Sequence, residues 1–250
     1  MVILKNTREL AILREAARIS SRALAEGGKA VEPGVSTLEI DTIIRSYIEK
    51  QGATPSFLGY GGFPASACIS VNNVVIHGIP SEKQILQSGD IVSIDVGACF
   101  EGYHGDNAYT FACGDISKKA QELIDTTREA LMKGISRAVS GGFVGDIGRA
   151  VQRYAEARSY SVVRDYVGHG VGAKLHEDPA VPNYGTPTKG VRLLPGMVIA
   201  IEPMINQGSF RVRLLDDGWT VVTADNMLSA HFEHTIAITS RGPVILTDPA

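Results

Sequence analysis

The sequence predicts an α+β fold, with a central antiparallel sheet and helices packed on it. It reads as one domain over residues 1–250, made of two pseudo-symmetric halves of about 1–110 and 111–250. Three observations predict this. "LQSGDIVSID" (86–95) and "LLPGMVIAIE" (193–202) each carry a turn glycine, an apolar β-rich run and an acid six residues after the glycine, and they stand 107 positions apart. The same offset carries the helical stretch around Ile40, Arg45 and Tyr47 onto Ile147, Gln152 and Tyr154. The strand-like runs come mostly as hairpins rather than alternating singly with helices, which favours antiparallel pairing.

Asn6 and Glu9 are placed to open a first helix. Ser36 and Glu39 form a capping-box pattern ahead of Ile40, Ile43, Ile44 and Tyr47, whose spacing makes one apolar face. "CISVNNVVIH" reads as a hairpin with a two-residue Asn72-Asn73 turn, and counting outward makes Cys68 and His77 cross-strand neighbours. "SIDVGACFEGYHGDNAYTF" reads as a second hairpin turning at Glu101-Gly102. Between Lys118 and Val139, Leu123, Thr127, Leu131 and Ile135 recur at helical spacing. "DYVGHGVGAKLHEDP" is too rich in glycine for a helix, and "HFEHTIAIT" leads an acid, Glu233, into a β-branched strand.

Composition excludes several classes. With a formal net charge of −3 and no basic run, the chain is not a general nucleic-acid binder. No apolar run approaches the roughly 18–20 residues of a membrane span, and "MVILKNTREL" does not resemble a signal peptide. Three cysteines without a C-x-x-C pair suit a reducing compartment, so a cytoplasmic protein is expected. A serine hydrolase is disfavoured because there is no G-x-S-x-G elbow. "GHGVG" is not a dinucleotide loop either, since no helix follows to receive a pyrophosphate.

An acid ending an apolar strand is costly unless paired, hydrogen-bonded or bound to metal, and here this happens at corresponding places, Asp95 and Glu202. The Glu101-Gly102 turn puts Asp95 and Asp106 on one face, opposite or one diagonal step apart, so about 5–8 Å. Adding Glu233 and His169 gives four carboxylates and one imidazole. Two divalent cations match the charge of four carboxylates, whereas one would leave two negative charges buried. Oxygen-rich ligands with one nitrogen suit Mn, Fe or Co, with Zn or Ni also compatible. Such ions, about 3.5–4 Å apart across a bridging water, are a known arrangement for hydrolysis.

The order Asp95, Asp106, His169, Glu202, Glu233, with "SVNNVVIHGIP", "DIVSIDVG", "GYHGD", "GHGVG", "HEDP", "GMVIAIEP", "DGWT" and "FEHT", resembles the methionine aminopeptidases of the M24 metallopeptidases, over nearly the whole chain. These enzymes have the pita-bread (creatinase/aminopeptidase) fold. Only thirty residues separate Glu202 from Glu233 and no cysteine-rich extension precedes them, as in the short type I form. The resemblance implies removal of the initiator methionine from nascent polypeptides when the second residue is small. It makes Asp95, Asp106, His169, Glu202 and Glu233 the metal ligands, with Glu202 also taking the proton of the nucleophilic water. His176 would stabilise the oxyanion and His77 would contact the peptide. Phe57, Tyr60, Phe63, Cys68, His77, Leu175, His176 and Trp219 would line the substrate site, although Leu175 departs from the bulky aromatic expected before His176. It further implies a monovalent cation, Na or K, on carbonyls of Asn72, Val74 and Ser229, proximity to the ribosome and a monomeric state.

Gly168 and Gly170 are read as letting the backbone approach a metal beside His169. His234 is read as supporting Glu233 from behind, and His104 and His231 receive no catalytic role. Two alternatives stand beside the aminopeptidase. A non-catalytic binding protein on the same fold should have lost ligands, whereas all five are present. Xaa-Pro cleavage uses the same ligands, generally with an additional N-terminal domain.

Overall fold

A computed structural model describes residues 1–248. The first part of the chain forms α1 (Thr7–Lys29), α2 (Thr37–Lys50), β1 (Thr54–Pro55), β2 (Ala67–Val71), β3 (Val74–Ile76), β4 (Ile91–Phe100) and β5 (Tyr103–Ala112). The second begins with α3 (Lys118–Ile135), α4 (Val144–Glu156), β6 (Ser161–Val162), β7 (Gly168–Gly170) and β8 (Glu177–Val181). It continues through β9 (Val198–Ile201), β10 (Met204–Asn206), β11 (Val212–Leu214), β12 (Val221–Thr223), β13 (Ser229–His231), β14 (Glu233–Thr239) and β15 (Gly242–Ile245). The 107-residue offset is visible here: α2 and α4 begin at Thr37 and Val144, and β4 and β9 at Ile91 and Val198.

Both capping boxes form. Asn6 accepts from the N–H groups of Arg8 and Glu9 while the Glu9 carboxylate accepts from Asn6 N–H. Ser36 and Glu39 exchange the same pair of bonds at α2. Each exchange satisfies donors that a helix N-terminus otherwise leaves unpaired.

A nine-stranded sheet runs β1-β4-β5-β14-β9-β7-β8, with β2 on β4 and β15 on β14, all antiparallel. Its two parts meet where β5 pairs with β14, Glu233 opposite Ala108 and His234 opposite Asn107. One core joins α1 and α2 to β2 and β4 through Ile19, Ile40, Ile44, Ile69 and Ile94. Another joins α3 and α4 to β9 and β14 through Leu123, Leu131, Ile147, Ile199 and Ile236. Tyr109 packs against both.

Strand alternation then sets the site. Val92, Ile94 and Val96 point into the first core, so Asp95 between them points the other way. Ile236 and Ile238 do the same in the second core, leaving Glu233 on the opposite face of β14. The β4–β5 hairpin turns at Glu101-Gly102 as the sequence predicts, with Gly97 opposite Asp106 and Asp95 opposite Ala108. Asp95 and Asp106 are therefore diagonal neighbours on one face.

The Asn72-Asn73 hairpin differs from expectation. The turn is present, but β2 pairs along β4, with Cys68 opposite Asp95, while β3 pairs with β12. His77 adopts a left-handed φ of 57° and turns the chain back, so Ile69 N–H donates to Gly78 O rather than pairing with Ile76. Cys68 and His77 are thus not ladder partners. Long-range pairing with β12 overrides the local register that a two-residue turn would set.

Replacing Ser36 with Ala removes the hydroxyl arm of the α2 box. The unfolding free energy should fall by about 1 kcal/mol, measured by chemical denaturation at fixed metal concentration.

Candidate active site

Asp106, His169 and Glu233 converge so that one ligand atom from each lies within 4.8 Å of the others. Glu202, just past the end of β9, places Oε1 at 3.4 Å from His169 Nε2, and Asp106 Oδ2 lies 3.8 Å from the same nitrogen. Asp95 joins them in the wall of a cavity of about 150 Å³. Asp106 and Glu233 are almost fully buried.

No Lys or Arg pairs with these acids among the described residues, and only the backbone of Val96 and Asn107 favours the charged forms of Asp95 and Asp106. Asp95 Oδ1, Asp106 Oδ1 and Glu233 Oε1 are buried without a hydrogen-bond partner. Burial first, then Asp106 and Glu202, pushes the Asp95 carboxyl well up. Burial and then Asp106 raises Glu202, and burial followed by Asp106, Glu202 and Asp95 raises Glu233. Burial takes Asp106 up to about 7. Each shift records a carboxylate short of partners.

His169 decides what such a partner must be. Its Nδ1 lies 2.9 Å from the Gly170 carbonyl, which can only accept, so Nδ1 carries the proton and Nε2 a lone pair. Burial and then His176 lower its pKa to about 4, so the ring is neutral at neutral pH. Facing carboxyl oxygens at 3.4 and 3.8 Å, that lone pair fits a metal cation or, when no metal is bound, a proton donated by a raised carboxyl such as Glu202. The donor set of four carboxylates and one imidazole nitrogen suits a divalent ion.

The glycines around His169 have a different reason from the one expected. A Cβ on Gly168 would come within 2.4 Å of Ala200 O, and one on Gly170 within 2.2 Å of Asp178 O. They admit the neighbouring strands β9 and β8, not a metal. His234 is also corrected. It faces away from Glu233 across β14, and its Nδ1 lies 2.9 Å from Thr247 Oγ1.

The other expected residues line the same cavity: Phe57, Tyr60, Phe63, Cys68, His77, Leu175, His176 and Trp219. Phe57, Phe63, Cys68 and Leu175 form a buried apolar cluster with Ala65, against which Trp219 packs. Phe63 and Trp219 meet edge to face at 5.2 Å. Asp217 Oδ1 accepts from the N–H groups of Trp219 and Thr220, fixing the turn that presents the indole. Burial pushes the Cys68 thiol well up, with Asp95 the next cause, so it stays protonated and serves as an apolar contact. His77, against Tyr166 and Trp219, is held near pKa 4 by burial and by His176. Tyr60 Oη lies 2.7 Å from His176 Nδ1, and burial lowers His176. Asn72 and Ser229 are adjacent, since Ser229 N–H donates to Asn72 O, and Val74 pairs with Val222.

Two residues beside the site carry no role in the sequence reading: His231 is set aside there and Asp41 is not singled out. His231 is buried, and its Nε2 has no hydrogen bond and lies 4.0 Å from Glu202 Oε2. Its place two residues before Glu233 was the available signal. Asp41 of α2 accepts from Ser66 and Ala67 N–H, fixing the start of β2 beside Cys68. An acid one step off an apolar helix face gives no such signal. A larger cavity, about 470 Å³, lies by α1 and α3, but the metal-ligand set does not converge there.

A family model for metallopeptidase family M24 matches residues 11–240. The chain belongs to this metallopeptidase family. Within M24 it is 55% identical to a methionine aminopeptidase of Clostridium perfringens, over 99% of each chain. It is 54% identical to methionine aminopeptidase 1 of Bacillus subtilis, with the same coverage. The crystal structure of methionine aminopeptidase from Thermotoga maritima superposes with a TM-score of 0.97 at 44% identity, covering 99% of this chain and 100% of that one. A prolidase of Pyrococcus horikoshii shares the fold at a TM-score of 0.81 and 26% identity, but this chain covers only 65% of it. The pita-bread expectation holds, and family M24 accounts for the use of divalent metal.

Each raised carboxylate binds its proton more tightly folded than unfolded. The stability this gives the metal-free protein is fully present below about pH 4 and is lost as pH rises through about 7 for Asp106, and higher for the others. The lowered imidazoles of His77, His169, His231 and His234 act in the opposite sense up to about pH 6.5, so the thermal midpoint of chelator-treated protein should fall from about pH 6.5 to about pH 8.5. Added divalent metal should raise it most at the alkaline end. A midpoint flat across that range would contradict the arrangement.

Proposed function

We propose that this chain removes the N-terminal methionine from nascent polypeptides and peptides whose second residue is small. The observation that carries the reading is the lone pair of His169 Nε2 facing the carboxylates, next to an apolar pocket large enough for one side chain. The relatives named methionine aminopeptidase, matching end to end, support it. Asp95, Asp106, His169, Glu202 and Glu233 would hold two divalent ions, Co, Mn or Fe, with Zn or Ni also accepted. When bound, these supply Lewis acidity and a water acidic enough to attack at neutral pH.

The chain's own residues do the rest. The cluster of Phe57, Phe63, Cys68, Leu175 and Trp219 receives the methionine side chain, a contact worth about 1–3 kcal/mol of discrimination. Phe57 places an aromatic ring in the same wall as Leu175, where the aromatic expected before His176 is missing. His77 contacts the peptide beside Trp219. Glu202 accepts the proton of the attacking water and returns it to the leaving amine as the peptide bond breaks. His176 donates to the carbonyl oxygen as it becomes an oxyanion. If the Tyr60 hydroxyl donates to His176 Nδ1, the ring proton sits on Nε2, the tautomer a donor needs.

A monovalent cation, Na or K, on the carbonyls of Asn72, Val74 and Ser229 belongs to the same reading. So do action near the ribosome, a cytoplasmic location and a monomeric state. Among the described residues, no helix is long and apolar enough to cross a membrane.

Protein supplied with Mn, Fe or Co should release methionine from a Met-Gly-type peptide and leave an Ala-Pro substrate intact. The reverse pattern would make the chain an Xaa-Pro enzyme, the activity class of its prolidase neighbour. In the His176→Ala variant, kcat/KM should fall by about 10²–10³ through kcat, read by steady-state kinetics on the same peptide.

A further inference from the structure

Lys5 and Glu177 form an ion pair that lies outside the cavity and that the chemistry above does not use. Lys5 Nζ lies 2.5 Å from Glu177 Oε2, and the two side chains are 3% and 7% exposed. The pair fills a fitted niche: a Cβ on Gly172 would come within 2.3 Å of Glu177 Oε1 and 2.4 Å of Lys5 Nζ. An apolar pair could occupy such a space with less desolvation. An ion pair with further hydrogen bonds adds direction.

That direction is visible in the bonds around it. Glu177 Oε1 accepts from Lys174 N–H, so the carboxylate spans the turn that carries Leu175 and His176. The turn is closed further by Gly172 N–H donating to Lys174 O and by His104 N–H donating to Gly172 O. At the other end, Lys5 N–H donates to Gly196 O, just ahead of the strand that leads to Glu202. Lys5 therefore ties the His176 turn to the approach to Glu202. His176 itself is exposed, with Tyr60, also exposed, as its ring's hydrogen-bond partner. The rings of His169 and Tyr60 flank the imidazole at 4.1 and 5.2 Å between centroids, and the turn beneath it sets where its backbone stands.

We infer that Lys5 is a positioning residue for His176: its buried ammonium, acting through Glu177, fixes the turn of residues 172–177 so that the imidazole faces the substrate carbonyl. The inference rests on the role of His176 in the reading above. A displacement of about 1 Å at a group that acts only in the transition state can cost up to 10²-fold in rate.

The test compares metal-loaded wild type, Lys5→Met, His176→Ala, Lys5→Met/His176→Ala and the paired variant Lys5→Met/Glu177→Leu on a Met-Gly-type peptide, with thermal midpoints measured beside the kinetics. The paired variant leaves no unpaired buried charge, so it guards against loss of folding. Lys5→Met should lower kcat by about 10- to 100-fold, with KM within about threefold. In the His176→Ala background it should cost less than about threefold more, because the group it positions is gone. The paired variant should fold and still show the kcat loss. Wild-type kcat in the paired variant, or an undiminished effect of Lys5→Met when His176 is absent, would overturn the positioning role and leave that of His176 standing. An unchanged kcat in His176→Ala alone would overturn both.

Discussion

Mutual repulsion among Asp95, Asp106, Glu202 and Glu233 is the constraint that organises this molecule. Four carboxyl groups are turned toward one small cavity, three of them with a buried oxygen that no group among the described residues satisfies. A fold does not gather anions in this way for its own stability. The sheet holds them there through rigid alternation, with isoleucines and valines on one face committing the acids to the other. The helices act at one remove, by burying the faces that aim the strands.

The same arrangement explains the division between ligand cluster and pocket. Oxygen and imidazole donors occupy one side of the cavity, and aromatic and aliphatic side chains occupy the other. His77 and His176, whose pKa values are both lowered by partial desolvation, stand among the lining groups of the same cavity. Neutral imidazoles can donate without adding positive charge that would compete for the carboxylates. The protein thereby keeps charge neutralisation and hydrogen-bond donation in separate residues.

Much of this could be read from the residues because it depends on local rules. A two-residue turn at Glu101-Gly102 fixes parity, so the shared face of Asp95 and Asp106 followed directly. The 107-residue echo survived because both copies begin their helix and their strand at matching positions. The reading failed where distant chain decides. β3 leaves the Asn72-Asn73 hairpin to pair with Val221 and Val222. Gly168 and Gly170 are required by strands on either side rather than by a ligand. His234 falls on the wrong side of β14 to help Glu233. The Lys5–Glu177 pair joins positions 172 apart, and no local pattern announces it. His231 was within reach of the same parity argument, but the strand breaks at Phe232 and hides the relation.

The junction between β5 and β14 is short, with two opposed residue pairs. Asp106 comes from one side of it, and Glu233 and His169 from the other. An ion held by all three would thus also be a rivet across the seam. The seam is spanned as well by Leu13 and Ala17 of the first helix, packed with Val198 and Ala200, so the centre would add its tie to a join that apolar side chains already make.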